Sequence, residues 1–216
     1  MNTYMANPDK IERKWYVVDA EKDAYIYAGF KEELTTEEYA KRVADGSIMD
    51  ALAKHEIHTG DVFYIPAGRV HAIGKGVMLV EVQQSSDLTY RIYDWDRVDA
   101  EGKSRELHTA LAVDAIDFSS DAASCHKHYT LQTNRAVSMV DCPYFTTNII
   151  SLDGSRTFDY ASLDSFVLYI CTDGEADITL NGTTEHLTPF ELVMIPAEAD
   201  SVALSGQATL LEVYIK

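Results

Sequence analysis

The chain lacks several features that would assign a protein to a class at once. No apolar run approaches the roughly 20 residues needed to cross a bilayer. Residues 1–8 contain neither a basic start nor an apolar stretch, which argues against a signal peptide. The three cysteines, Cys125, Cys142 and Cys171, form no Cys-x-x-Cys pair, so neither a disulfide framework nor a thiolate zinc site is expected. We therefore predict a cytoplasmic protein.

Positive charge is scarce. Eighteen basic residues stand against thirty-five acidic ones, for a formal net charge of −17. Such a surface repels phosphate backbones and anionic lipids, so we expect neither nucleic acid nor membrane as a partner. An anionic small molecule would also be repelled at long range, and any such ligand must be held by local cations.

Short strands separated by turns dominate the chain, a pattern typical of all-β sandwiches and barrels. The capping-box spacing of Thr35 and Glu38 predicts a helical insertion over about 35–55. Residues 110–118 are predicted to form a short connecting helix, although their alternation also allows a strand. Asn181-Gly182 predicts a two-residue hairpin turn. The predicted strands are 15–20, 24–30, 61–66, 77–83, 89–95, 137–141, 144–152, 166–172, 176–180, 190–196 and 209–215.

A weak internal repeat divides the chain into two similar halves. Residues 60–68 and 189–198 are each an apolar strand that ends in Ile-Pro-Ala and a turn. Only the first copy leads on to a histidine, His71. The repeat favours two cupin-like barrels: a metal-site domain over 1–118 and a second domain over 119–216 without metal ligands. Residues 119–127 are predicted to link them.

Four segments resemble one enzyme family. They are Ile65 to Gly76, Leu79 to Asp87 followed by Thr89 to Arg97, Arg105 to His108 continued by Ala115 to Phe118, and Cys142 to Asn148. Together they resemble the type I phosphomannose isomerases, also called mannose-6-phosphate isomerases. The resemblance covers most of the chain and implies a mainly β fold of two cupin (jelly-roll) barrels. It implies interconversion of mannose 6-phosphate and fructose 6-phosphate through an enediolate, with one divalent metal ion, zinc, per chain.

The resemblance also implies roles for particular residues. His71 corresponds to a metal ligand, and zinc accepts imidazole nitrogen readily. Arg91 corresponds to an active-site arginine that holds phosphate or the enediolate oxygen; the alternative is a surface salt bridge. Glu81 corresponds to a residue that moves a proton between C1 and C2; the alternative is that it braces the metal shell.

The sequence departs from the family pattern before Trp15. The family has an upstream Gln-x-His pair, and no such pair precedes Trp15, so we expect the first barrel to be N-terminally truncated. The family's metal-binding glutamate lies two residues before the tryptophan, whereas Glu12 lies three before Trp15. In a strand this one-residue shift turns the Glu12 side chain to the opposite face, so Glu12 would serve as a ligand only if a β-bulge returned it to the metal-binding face.

These departures predict weak or absent zinc binding and low or no isomerase activity. They leave open whether the chain is an enzyme; the alternative is a non-catalytic sugar-binding or regulatory cupin. An incomplete barrel would expose a sheet edge, which favours homodimer formation by edge pairing.

Overall fold

The computed structural model describes residues 3–4, 11–86, 89–95 and 97–215. The fold is mainly β, as predicted, and it divides into two compact units, Met1–Lys127 and His128–Lys216. The division falls after Lys127, later in the chain than the predicted domain end at 118. Within the described ranges, no helix has the length and apolar character needed to cross a membrane.

Two four-stranded antiparallel sheets form the first unit. One has the strand order β1-β6-β3-β4 and the other β7-β2-β5-β8. The strands of both sheets are short, and successive side chains along each strand point to opposite faces of the sheet. The first five residues of β2 are buried on both faces. The strands are β1 Thr3–Tyr4, β2 Arg13–Ala20, β3 Tyr25–Phe30, β4 Leu52–Glu56, β5 Val62–Ile65, β6 His71–Ile73, β7 Val77–Gln83 and β8 His126–Lys127.

The helical insertion begins where the capping box predicts. The Thr35 hydroxyl accepts a hydrogen bond from the Glu38 backbone N–H, and the Glu38 carboxylate accepts one from the Thr35 N–H, so both halves of the motif are present. Helix α1 spans Thr36–Ala44 and α2 spans Ile48–Ala51. The insertion ends earlier than predicted, because Leu52–Glu56 pairs with β3 as β4.

Two segments of the first unit differ from the sequence predictions. Residues 89–95 were predicted as a strand, but none of them lies in one. Their side chains Tyr90, Ile92 and Tyr93 pack instead against a core cluster of the unit. Residues 119–127, predicted as a linker, form a 3-10 turn at Ala122–Cys125 and strand β8. Helix α3 spans Thr109–Ala112, so it begins one residue before the predicted 110–118 segment and ends well short of its end.

The second unit is one six-stranded sheet folded on itself, with the order β12-β11-β14-β10-β9 and β13 paired to β11. The Asn181-Gly182 turn joins β11 to β12 with φ of 51° and 83°, which confirms the predicted hairpin. The two strands predicted at 166–172 and 176–180 are one continuous strand. The strands are β9 Ala136–Asp141, β10 Phe145–Asp159, β11 Val167–Leu180, β12 Thr183–Leu187, β13 Leu192–Ile195 and β14 Ser201–Ile215.

A polar network is buried among the apolar side chains of the second unit. The Glu212 carboxylate, 2% exposed, accepts hydrogen bonds from the Tyr160 hydroxyl and from the Asn148 side-chain amide. The Tyr160 and Tyr169 hydroxyls also bond to each other. Burial raises the pKa of both tyrosines, so they remain neutral donors. Each carboxylate oxygen of Glu212 therefore has a partner, as a buried charge requires.

Candidate functional site

His71 is the first residue of β6 and is 3% exposed. Its Nδ1 lies 2.7 Å from the Arg69 carbonyl oxygen. A carbonyl can only accept, so Nδ1 carries the proton and Nε2 carries the lone pair. Nε2 is buried and has no hydrogen-bond partner among the described residues. Burial, reinforced by the charge of Arg13, lowers the His71 pKa to about 3, so the ring is neutral at physiological pH.

Trp15 packs against this ring and contacts Glu81, which in turn faces Arg13; together with His71, these three residues of the neighbouring sheet form what we call the His71 cluster. The rings of Trp15 and His71 meet edge to face with centroids 5.4 Å apart. The Trp15 indole N–H donates to Glu81 Oε2, and Arg13 Nη1 lies 3.8 Å from the same oxygen. The register explains the grouping, because Trp15 faces Glu81 across β2 and β7 and Arg13 lies two residues before Trp15.

Glu12 and Lys14 alternate with these residues. The pairing of β2 with β7 runs without a bulge from Arg13 to Val17, and the Gln84 N–H continues it by donating to the Glu12 carbonyl. Strand alternation therefore directs the side chains of Glu12 and Lys14 to the face opposite Arg13. A carboxylate oxygen of Glu12 is buried without a partner among the described residues. Its role as a metal ligand remains a prediction, which this register does not favour.

The donor set around His71 does not fit a divalent metal ion. A catalytic zinc site usually has three protein ligands. No group of three or more His, Cys, Asp or Glu side chains that could hold a metal occurs within 11–86, 89–95 and 97–215. The unpartnered Nε2 of His71 suits a ligand, and Glu81 contacts Trp15, which packs against the His71 ring. The third neighbour is the cation Arg13, which stands two residues before Trp15, where the family pattern has its glutamate.

Arg91 lies outside the regular strands. Its backbone N–H donates to His108 Nδ1 at 3.2 Å, and its carbonyl accepts from the His108 N–H at 2.7 Å. Its Nη1 lies 3.4 Å from the Glu106 carbonyl, and its Nε is buried without a partner among the described residues. None of these contacts joins Arg91 to the His71 cluster. The predicted meeting of Arg91 with Glu81 and His71 around one ligand stays a prediction.

A loop close to Arg91 concentrates positive charge that the sequence reasoning did not single out. Arg97, Lys103 and Arg105 line a cavity of about 710 Å³ together with Glu106, whose carbonyl Arg91 contacts. The other lining residues are Val98, Asp99 and Ser104. Two acids, Asp99 and Glu106, line the same cavity, and Arg105 pairs with Asp94 at 3.6 Å, so the cations exceed the acids of the lining by one in a chain of net charge −17.

Sequence reasoning also missed Arg13. Its position two residues before Trp15 placed it on the tryptophan's face, but only the pairing with β7 and the ring contact of Trp15 show that Glu81 and His71 lie on that side. Asp87 and Asp96, which belong to the segments with family resemblance, lie outside the described residues.

Comparison with known proteins gives one consistent result. A model of the mannose-6-phosphate isomerase cupin domain matches residues 135–215. The mannose-6-phosphate isomerase ManA of Bacillus subtilis is 36% identical over 203 residues, covering 90% of this chain and 61% of the relative. A mannose-6-phosphate isomerase of Streptococcus mutans is 32% identical, covering 91% and 61%. The chain thus spans about three-fifths of the length of these curated relatives.

Solved structures agree with the sequence relatives. The crystal structure of the mannose 6-phosphate isomerase from Bacillus subtilis superposes with a TM-score of 0.84 at 27% identity, over 94% of this chain and 64% of that one. A mutant phosphomannose isomerase from Salmonella typhimurium superposes with a TM-score of 0.74 at 15% identity, over 97% and 67%. At that lower identity the likeness supports the fold alone.

Proposed function

The chain belongs to the type I phosphomannose isomerase family, and from that premise we propose that it binds mannose 6-phosphate and fructose 6-phosphate and interconverts them slowly through an enediolate. We place this activity in the cytoplasm. The chain spans only part of the length of its relatives, so the whole reaction is stated for this chain as a proposal. The alternative function, a non-catalytic sugar-binding or regulatory cupin, is less favoured, because the curated relatives named above are isomerases.

The observation that carries the proposal is the state of His71. A neutral, buried imidazole with its Nδ1 proton engaged by the Arg69 carbonyl presents Nε2 as a fixed acceptor. A buried polar atom without a partner costs about 1–3 kcal/mol, which a bound ligand would recover. A sugar hydroxyl that donates to Nε2 would supply the missing hydrogen bond.

Glu81 is the group that we assign to proton transfer. Both of its described contacts, from Trp15 and Arg13, fall on Oε2, which fixes the carboxylate in place. Its side chain is 32% exposed, so a ligand in the barrel mouth can reach it. We propose that Oε1 takes a proton from one of the sugar carbons C1 and C2 and returns it to the other.

Arg91 is the group that we assign to the negative charge of the ligand. Its planar guanidinium matches the geometry of phosphate and of an enediolate oxygen. The neighbouring cavity supports the phosphate alternative, since its three lining cations, Arg97, Lys103 and Arg105, outnumber its two lining acids. The enediolate oxygen would then face the His71 cluster.

The low rate follows from the donor set. A divalent ion, when bound, would polarise the sugar carbonyl and stabilise the oxyanion. The described residues offer His71 and Glu81 as donors, with Arg13 beside them. Guanidinium groups alone would hold the developing charge, which predicts turnover well below that expected of a complete three-ligand site.

A coupled isomerase assay in both directions, with calorimetric titration of mannose 6-phosphate, tests the proposal. We expect slow turnover that falls about a hundredfold in Arg91→Ala, in the range seen when one charge-stabilising donor is lost. Glu81→Gln should lower turnover and leave sugar binding nearly unchanged. Arg135→Ala, which removes an exposed arginine of the second unit, is the matched control and should behave as wild type. Absence of both binding and turnover in the wild-type chain would refute the proposal.

A further inference from the structure

The His71 cluster contains a permanent positive charge. Arg13 is 9% exposed, and its guanidinium lies 3.8 Å from Glu81 Oε2. It shares the strand face of Trp15, whose ring contacts His71. Arginine stays protonated at every physiological pH. The charge is therefore buried within the His71 cluster.

This arrangement opposes a metal ion in two ways. Glu81 is the carboxylate of the His71 cluster that could serve as a second metal ligand. The Arg13 guanidinium already forms an ion pair with it. A divalent ion bound to His71 would also sit near a like charge in a buried setting, where repulsion is screened far less than in water. Binding would require Arg13 to leave Glu81 and the barrel interior.

We propose that the Arg13 guanidinium takes the place of the divalent cation in this barrel. The His71 cluster then binds no metal, and it contacts the oxygen atoms of its ligand through the Arg13 guanidinium and the neutral His71 ring. Arg13 donates to an anionic or carbonyl oxygen, and His71 Nε2 accepts from a hydroxyl. The identity of the ligand rests on the proposed function; the exclusion of metal does not.

The test is a zinc titration against a chromophoric chelator, using the full 216-residue chain without sugar. Wild type and His71→Ala should bind zinc equally, because His71 binds no zinc in the wild type. Arg13→Glu replaces the cation by a carboxylate, which with His71 and Glu81 makes three donors. We expect this variant to gain one zinc per chain, bound at least about tenfold more tightly than any zinc on wild type. The gain should vanish in the double variant Arg13→Glu/His71→Ala.

Matched controls separate a site from a change in net charge. Arg135→Glu makes the same change of charge in the second unit and should gain no zinc. Thermal unfolding establishes that each variant is folded. If Arg13→Glu does not fold, Arg13→Gln removes the cation conservatively and should show a smaller gain that depends on His71.

Two results would overturn the inference. One is a wild-type zinc site that disappears in His71→Ala. The other is a folded Arg13 variant that binds no more zinc than wild type. The readout needs no sugar, so failure of the proposed isomerase function leaves it intact. Conversely, a wild-type zinc site with normal mannose 6-phosphate turnover would remove this inference and leave the family function standing.

Discussion

Lys14 offers the most quantitative prediction. It is fully buried in β2, and its ammonium nitrogen has no hydrogen-bond partner among the described residues. The one described contact of this nitrogen is a cation–π contact with Tyr16, whose ring centroid is 5.4 Å away. Burial lowers the Lys14 pKa from 10.5 to about 7. At 1.36 kcal/mol per pKa unit, that gap corresponds to roughly 5 kcal/mol of stability linked to pH.

The sign of the effect follows from the direction of the pKa change. Between about pH 7 and 10.5 the unfolded chain binds the proton and the folded chain does not, so stability rises with pH across this window. Below about pH 7 both states are protonated and the full cost of burying the charge is present. Lys14→Met keeps the length and removes the charge. It should therefore be more stable than wild type by roughly 4 kcal/mol at pH 7, with the advantage shrinking as pH rises.

Denaturant unfolding followed by tryptophan fluorescence measures this effect in the first unit alone, because both tryptophans, Trp15 and Trp95, lie there. Wild type should gain stability between about pH 7 and 9.5, while Lys14→Met should not show that rise. Lys75→Met, at an exposed lysine, is the control and should keep the wild-type slope. A Lys14→Met variant with the same pH dependence as wild type would refute the reasoning.

Three further predictions concern stability. Thr35→Ala removes the capping hydroxyl of α1 and should lower the free energy of unfolding by about 1 kcal/mol in denaturant titrations. Gly174→Ala should cost at least about 2 kcal/mol, because its φ is +73° and a Cβ would lie 2.0 Å from a backbone oxygen. Gly182→Ala, with φ of +83° and open space around it, should cost about 1 kcal/mol; equal costs would contradict the steric argument. Tyr160→Phe should cost about 1–3 kcal/mol by leaving a Glu212 oxygen unpaired, and a neutral result would show that the network is not needed for stability.

Local signals predicted much of the fold. The capping box located the start of α1, and Asn181-Gly182 located the β11–β12 hairpin, because each motif satisfies its own backbone groups. Strand β7 has the predicted bounds, Val77–Gln83, because side-chain alternation is visible in a single strand.

Non-local packing accounts for the misses. Residues 89–95 have the β-branched and aromatic composition of a strand, yet the backbone of Arg91 bonds with His108 and Ile92 is buried in a cluster with residues from distant segments. Composition alone cannot distinguish a sheet partner from such a contact. Likewise, β8 forms because His126 stacks on Phe63, with ring centroids 4.7 Å apart, a contact 63 positions away in sequence.

The candidate site shows the same difference between local sequence signals and non-local packing. His71 was found through a motif of consecutive residues, and its buried position with Nδ1 bonded to Arg69 agrees with a functional role. Arg13 was missed because its importance depends on the register of β2 against β7. That register is a property of the sheet, and the alternation around Trp15 was its only trace in the sequence.

A crystal structure of the chain with mannose 6-phosphate, prepared without added metal, tests the central claim most directly. We expect a sugar oxygen at His71 Nε2, a second oxygen at the Arg13 guanidinium, and the phosphate of the sugar at Arg91. A sugar bound elsewhere, or a metal ion coordinated by His71, would contradict the account.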